Sequence, residues 1–157
     1  MRDQMTVQMQ LQIEACRAMV EMLEKEHTAL EGRDAESIQT TSEAKNAVLD
    51  RINTLDSTRN QILSSLSISQ DGSGMARFIK QFDPSSSGGL LTLWTELHEL
   101  AERCQKLNQI NGTVIELSRR NAQRAMDIIS GRSATDSGYD PEGNELRGTN
   151  SRHITSV

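Results

Sequence analysis

Residues 9–34 read MQLQIEACRAMVEMLEKEHTALEGRD, and their spacing decides the fold. Met9, Ile13, Cys16, Val20, Leu23, His27 and Leu30 follow one another in steps that, after Ile13, alternate three and four. That spacing holds a single stripe on one face of an α-helix. Gly32 follows the stripe as a C-terminal stop should. Asp34 is placed to cap the next helix, with Glu36 in its first turn near the positive end of the dipole.

Working outward, residues 3–31 form the first predicted helix and residues 35–66 the second. The second stripe reads Ile38, Thr41, Lys45, Val48, Ile52, Leu55, Arg59, Ile62 and Leu66. Lys45 and Arg59 interrupt it and are expected to snorkel at the seam edge, because an unpaired buried cation is costly. A connection of two or three residues makes antiparallel packing the natural outcome. Residues 67–74, Ser-Ile-Ser-Gln-Asp-Gly-Ser-Gly, read as a loop, with Gly72-Ser73-Gly74 a flexible joint. Met75, Phe78, Ile79 and Phe82 then mark a short amphipathic helix that should plug onto the bundle. Asp83-Pro84 and the Ser/Gly run at 85–89 break the chain again.

The last predicted helix, residues 90–130, is the longest. At 1.5 Å per residue it would measure roughly 61 Å, against roughly 43 and 48 Å for the first two. A helix longer than its partners must overhang or lean on something else. Its stripe begins with Leu93, Leu97, Leu100, Cys104 and Leu107, then weakens through Asn111, Val114, Ser118, Asn121 and Ala125 before Ile128. Residues 132–157 hold few apolar side chains and cannot offset the entropy of ordering, which predicts a flexible, disordered tail. The expected fold is all-α: an elongated antiparallel bundle of three long helices with one short linker helix. Residues 1–131 form the helical domain and 132–157 the tail.

Composition agrees. The chain has 157 residues, 35% of them hydrophobic, with ten Gly, two Pro and four aromatic residues in all. A β-sandwich or a large α/β enzyme would need more aromatic and β-branched residues. A net charge of −5 and a pI near 5.2 argue against nucleic acid, which selects a basic face. No stretch approaches a membrane span, and the N-terminus lacks a secretory signal. Cys16 and Cys104 stand far apart, as reduced thiols in a cytosolic protein would.

No pattern for catalysis or a cofactor stands out. Glu24-x-x-His27 has the spacing of a di-iron helical motif, but the second pair that such a site needs is missing. A seam-edge histidine accounts for it as well. Both cysteines fall on apolar stripes, where thiols act as small hydrophobes. Met5, Met9, Met19 and Met22 read as gap-fillers of a core, or as an adaptable docking surface. The chain is therefore read as no enzyme, with no metal.

The informative stretch is Asn108-Gln-Ile110-Asn111-Gly112. Gly112 in mid-helix costs roughly 1 kcal/mol relative to Ala, and polar Asn111 falls on the stripe. This reads as a tolerated imperfection, or as a place where another backbone approaches or the helix bends. Beyond it, Ile115, Leu117, Ala122, Met126, Ile128 and Ile129 spread around the helix beside Arg119, Arg120 and Arg124. Such a surface marks a partner site unless the short helix packs on it. Tyr139, the large aromatic of the tail, is either incidental or an anchor for a partner pocket.

These residues carry a resemblance. Glu43-Ala-Lys45 with Val48-Leu49, then Leu93-Trp94, then Asn108-x-x-Asn111-Gly112, then Tyr139-Asp-Pro-Glu-Gly143 and Ser151-Arg152-x-Ile154 resemble the FlgN-type flagellar export chaperones over nearly the whole chain. Ala44 departs from the acidic residue that the family places beside the lysine. The resemblance implies a cytoplasmic chaperone that binds hook-associated, hook–filament junction proteins, prevents their premature assembly and delivers them to the export gate. It points to Ile110, Val114, Leu117, Ile128 and Ile129 as partner-binding residues, which Asn111 and Gly112 join from their own reading, and to Tyr139 as the contact with an export gate component. A self-assembling coiled-coil protein without cargo is the alternative, and a homo-oligomer stays open.

Overall fold

The order of elements follows the predicted one. In the computed structural model, which describes residues 1–85 and 89–130, helices run over Arg2–Gly32 (α1), Ala35–Ser65 (α2), Gly72–Phe82 (α3) and Leu90–Ile129 (α4). The expected tail at 132–157 lies outside the described residues. The chain divides into two compact units, Met1–Val114 and Ile115–Val157, with the boundary inside α4.

In the first unit α1 and α2 form an antiparallel hairpin. Gln8 Nε2 donates to Leu55 O near one end, and Lys45 Nζ reaches Glu26 Oε1 at 2.5 Å near the other. α4 then runs in step with α1: Arg17 pairs with Glu96, Arg103 with Glu24, and Asn111 meets Leu23. The long helices thus alternate in direction, α1 up, α2 down, α4 up.

Because α1 is shared by both neighbours, its buried surface is broader than one stripe. Gln8, Gln12, Ala15, Met19 and Glu26 are buried beside the expected Met9, Ile13, Cys16, Val20 and Leu23. α2 buries Leu63 alone. Met5 and Met9 fill the core, at 0% exposure, as gap-fillers do.

One end of the unit is closed by α3. Phe78, Met75 and Ile79 pack with Met5, Met9, Leu63, Ile68 and Leu90, and Phe82, Leu93 and Trp94 line the edge. Phe78 has no exposed surface, and its ring lies 4.6 Å from that of Phe82. Full burial of one such side chain is worth about 1.5–3 kcal/mol gross. A second cluster continues along the seam with Ile13, Cys16 and Leu97, flanked by Ile52, Trp94 and Leu100.

Arg59 does not snorkel as expected. Its side chain is 13% exposed, its guanidinium lies 5.6 Å over the Trp94 ring, and Asp56 pairs with it. A planar cation stacked on an indole is compensated where a lone lysine would not be.

The helix ends correct two further sequence readings. Gly32 does not stop α1. It remains helical, and Arg33 takes the left-handed conformation at φ 53°, with Asp34 N–H bonded to Ala29 O and Arg33 N–H to Leu30 O. Ser67 ends α2 in the same way at φ 56°, and the Ile68–Leu63 contact that accompanies such a cap lies inside the core. Gly72-Ser73-Gly74 is no flexible joint but the first turn of α3. Asp71 Oδ1 accepts from Gly74 N–H at 2.8 Å, Ser73 Oγ at 2.7 Å and Ser69 Oγ at 2.9 Å. A Cβ on Gly74 would lie 1.7 Å from Ser69 O, so only glycine fits. At the start of α4, Asp83 accepts from Leu90 N–H at 3.1 Å.

Two predictions follow from these ends. Arg33→Gly should raise stability by about 0.5–1 kcal/mol, because glycine enters the left-handed region without the Cβ cost. A denaturant titration in which the variant is less stable than the parent contradicts this. Hydrogen bonds from Ser73, Gly74 and Ser69 lower the Asp71 carboxyl to about 2. The cap is therefore fully present above the ordinary carboxylate range and is lost as pH falls through about 2. Protection of the Gly74 amide should fall over that acid window and not in Asp71→Asn; an acid loss unchanged in Asp71→Asn contradicts the assignment.

Candidate partner-binding surface

α4 changes character along its length. Its early turns supply Leu90, Leu93, Trp94, Leu97 and Leu100 to the two apolar clusters. From Ile115 to Ser130 no residue is buried. Within the second unit Ile115, Leu117, Met126, Ile128 and Ile129 are 48–81% exposed. Ile115, Ala122, Met126 and Ile129, at i, i+7, i+11 and i+14, share one helical face, and Leu117 and Ile128, eleven apart, share another. The sequence-predicted Leu117, Ile128 and Ile129 are thus all presented to solvent, together with Ile115 and Met126, which belong to the same set.

Charge surrounds these side chains. Glu116 accepts from Arg119 at 3.0 and 3.1 Å and from Arg120 at 2.9 Å. Arg119, then Arg120, holds the Glu116 carboxyl below its ordinary range. Apolar groups rimmed by exposed ion pairs form a surface that water tolerates and that an apolar face can still displace.

The predicted residues of the first unit separate. Ile110 is 40% exposed, and Val114 is half-buried. Asn111 faces inward, a correction to its reading as partner-facing. It is 1% exposed, and its Nδ2 donates to Leu23 O and Glu26 Oε2, both at 2.9 Å. His27 Nδ1 lies 3.0 Å from Asn111 Oδ1. Since Nδ2 is fixed by two acceptors, Oδ1 accepts and the His27 Nδ1 carries the hydrogen. The backbone that approaches Asn111 is therefore the chain's own α1. Gly112 is exposed, and a Cβ there would meet nothing within 4 Å; nothing in the structure explains the glycine. Tyr139 lies outside the described residues.

Two features were missed in the sequence. Glu26 is 4% exposed, whereas the stripe was drawn through its neighbour His27, which is half-buried. The opposing Lys45 on α2 was the available signal, since it supplies the charge that makes Glu26 tolerable there. An apolar groove of about 340 Å³, lined by Met19, Leu23, Leu49, Ile52 and Cys104 among others, also runs between the three long helices. Leu49 at its rim is 45% exposed.

Cys104 Sγ lies 3.6 Å from Cys16 O, and burial raises both thiols, Cys104 to about 11. Neither supplies appreciable thiolate at neutral pH. Among the described residues no three His, Cys, Asp or Glu side chains group to hold a metal ion, and no helix is long and apolar enough to cross a membrane.

The crystal structure of a flagella synthesis protein FlgN from Pseudomonas aeruginosa is similar, with a TM-score of 0.63 and 26% identity, covering 74% of this chain and 90% of that chain. No curated protein matches. The FlgN protein family model matches residues 1–147, a span that takes in all four helices. The chain belongs to the FlgN family.

Proposed function

We propose that the chain is a flagellar export chaperone: it binds hook-associated, hook–filament junction proteins in the cytoplasm, keeps them from assembling early and delivers them to the export gate. Family membership supports the flagellar role. The observation that carries the binding mode is the stretch from Ile115 to Ile129, which has five large apolar side chains and no buried residue. A helical face of a junction subunit that would otherwise assemble with its neighbours meets that stretch by helix-against-helix recognition.

The energetics suit a transient complex. Leu117 and Ile128 face away from Ile115, Met126 and Ile129, so a cargo that wraps both faces would bury all five, for about 7–15 kcal/mol gross. Ordering and orientation costs take several kcal/mol of this, leaving room for a micromolar Kd near −8 kcal/mol. Release then needs no chemistry from the chaperone. The cargo-facing residues are Leu117, Ile128 and Ile129 with Ile115 and Met126. Ile110 and Val114 are further candidates on the α4 segment of the first unit. Asn111 and Gly112 drop to a supporting role, and Tyr139 is kept as the contact with the export gate.

The same exposed face could instead serve self-assembly, since Ile115, Ala122, Met126 and Ile129 form a stripe that a second copy would fit. Sedimentation separates the two, because a stable stoichiometric oligomer indifferent to junction proteins favours assembly. For cargo binding, Leu117→Asp and Ile128→Asp should each weaken capture of purified hook-associated protein by roughly tenfold or more, since each loses about 1.5–3 kcal/mol of burial. Their melting temperatures should stay within about 2 °C of the parent, as expected for exposed positions. Undiminished capture by both variants contradicts the assigned surface.

A further inference from the structure

We propose that residues 101–114 of α4 form a releasable strap over the α1–α2 hairpin, fastened by Asn111 and opening as a unit while the closed end of the bundle stays folded.

What holds α4 changes along its length. Up to Leu100 the helix is fixed by apolar packing: Leu90 and Leu97 are buried, and Leu93, Trp94 and Leu100 pack against the clusters. Among the described residues, none of α4 past Leu100 belongs to either cluster. Where the strap crosses the groove between the helices it presents Ala101, Cys104, Gln105 and Asn108, which are small or polar. They form one wall of an open groove of about 340 Å³ and leave it unfilled. Leu107 and Val114 are only half-buried. The specific contacts are polar: Arg103 with Glu24 at 2.5 Å, Cys104 Sγ with Cys16 O, and the Asn111 side chain with Leu23 O, Glu26 and His27. The Arg103–Glu24 pair is exposed on both sides and contributes little. Asn111 is the buried fastening.

The fastening is built to let go. Glu26 uses one oxygen for Lys45 Nζ, at 2.5 Å, and the other for Asn111 Nδ2. When the strap lifts, the Glu26–Lys45 pair remains inside the hairpin, and water can take the place of Asn111. No buried charge is left uncompensated, which is the condition that makes breaking a polar contact expensive. The groove side chains Met19 and Leu23, 7% and 2% exposed in the closed form, are then uncovered. Such local opening below the free energy of global unfolding is how proteins expose a surface without unfolding.

The test is hydrogen exchange by mass spectrometry on the full chain. Asn111→Asp keeps the size of the side chain and sets a carboxylate against Glu26. Exchange across residues 101–114 should rise roughly tenfold or more, the scale on which a lost charge-assisted bond shifts an opening equilibrium. Exchange in α1 and in residues 91–100 should change less than about twofold, as for a sub-global event. The swap Glu26→Gln with Asn111→Asp restores an amide facing a carboxylate, while Leu23 O still loses its donor, and should return protection part of the way to the parent. An unchanged strap, a rise spread evenly over all four helices, or a swap that exchanges as fast as Asn111→Asp overturns the proposal. If Asn111→Asp does not fold, the parent chain decides. In a denaturant series its strap amides should exchange through an opening less denaturant-sensitive than that of residues 91–100; exchange only with global unfolding rejects the strap.

Discussion

The supply of apolar side chains along α4 governs the molecule. Where α4 begins, leucines and a tryptophan meet the α3 plug and the methionines of α1, and Phe78 is sealed from water. Further along, the contacts with α1 become polar, and Asn111 replaces a leucine on the stripe. From Ile115 onward large apolar groups return, and none of them is covered. A helix that is anchored by burial at its start and exposes apolar groups near its end holds the fold with its first stretch; under the proposed function the second takes the cargo.

Exposed apolar groups of this kind favour aggregation unless polar groups separate them. Glu116 with Arg119 and Arg120, and Gln123 with Asp127, set polar groups around the helix between the exposed aliphatics. These pairs add little stability at the surface. They keep the apolar groups in small patches, which lowers the drive to aggregate while leaving area for a complementary helix. The reading as a chaperone for junction proteins rests on this surface together with family membership.

Much of the fold was legible because helical periodicity is a strong local signal. The stripe through Met9, Ile13, Cys16, Val20 and Leu23, the Asp34 cap and the Phe78 plug all follow from spacing. What spacing could not show was which helix would be sandwiched. α1 packs against two neighbours, so Gln8, Gln12 and Glu26, polar residues off the simple stripe, are also buried. Arg33 and Ser67 in left-handed caps, and Gly74 pressed against Ser69, depend on how chain ends close, which a single sequence records weakly. In the candidate site, exposure of Leu117, Ile128 and Ile129 was legible from apolar residues spread around one helix. Asn111 was singled out correctly as special but given the wrong partner, because a polar residue on a stripe looks the same whether it meets a cargo or the chain's own α1.

The most direct measurement is a hydrogen-exchange footprint of the full chain with and without a purified hook-associated protein. The account predicts that protection on binding concentrates in residues 115–129, while the cluster around Phe78, Met75 and Leu90 exchanges as in the free protein. Protection confined to that closed end, with residues 115–129 unchanged, would contradict it.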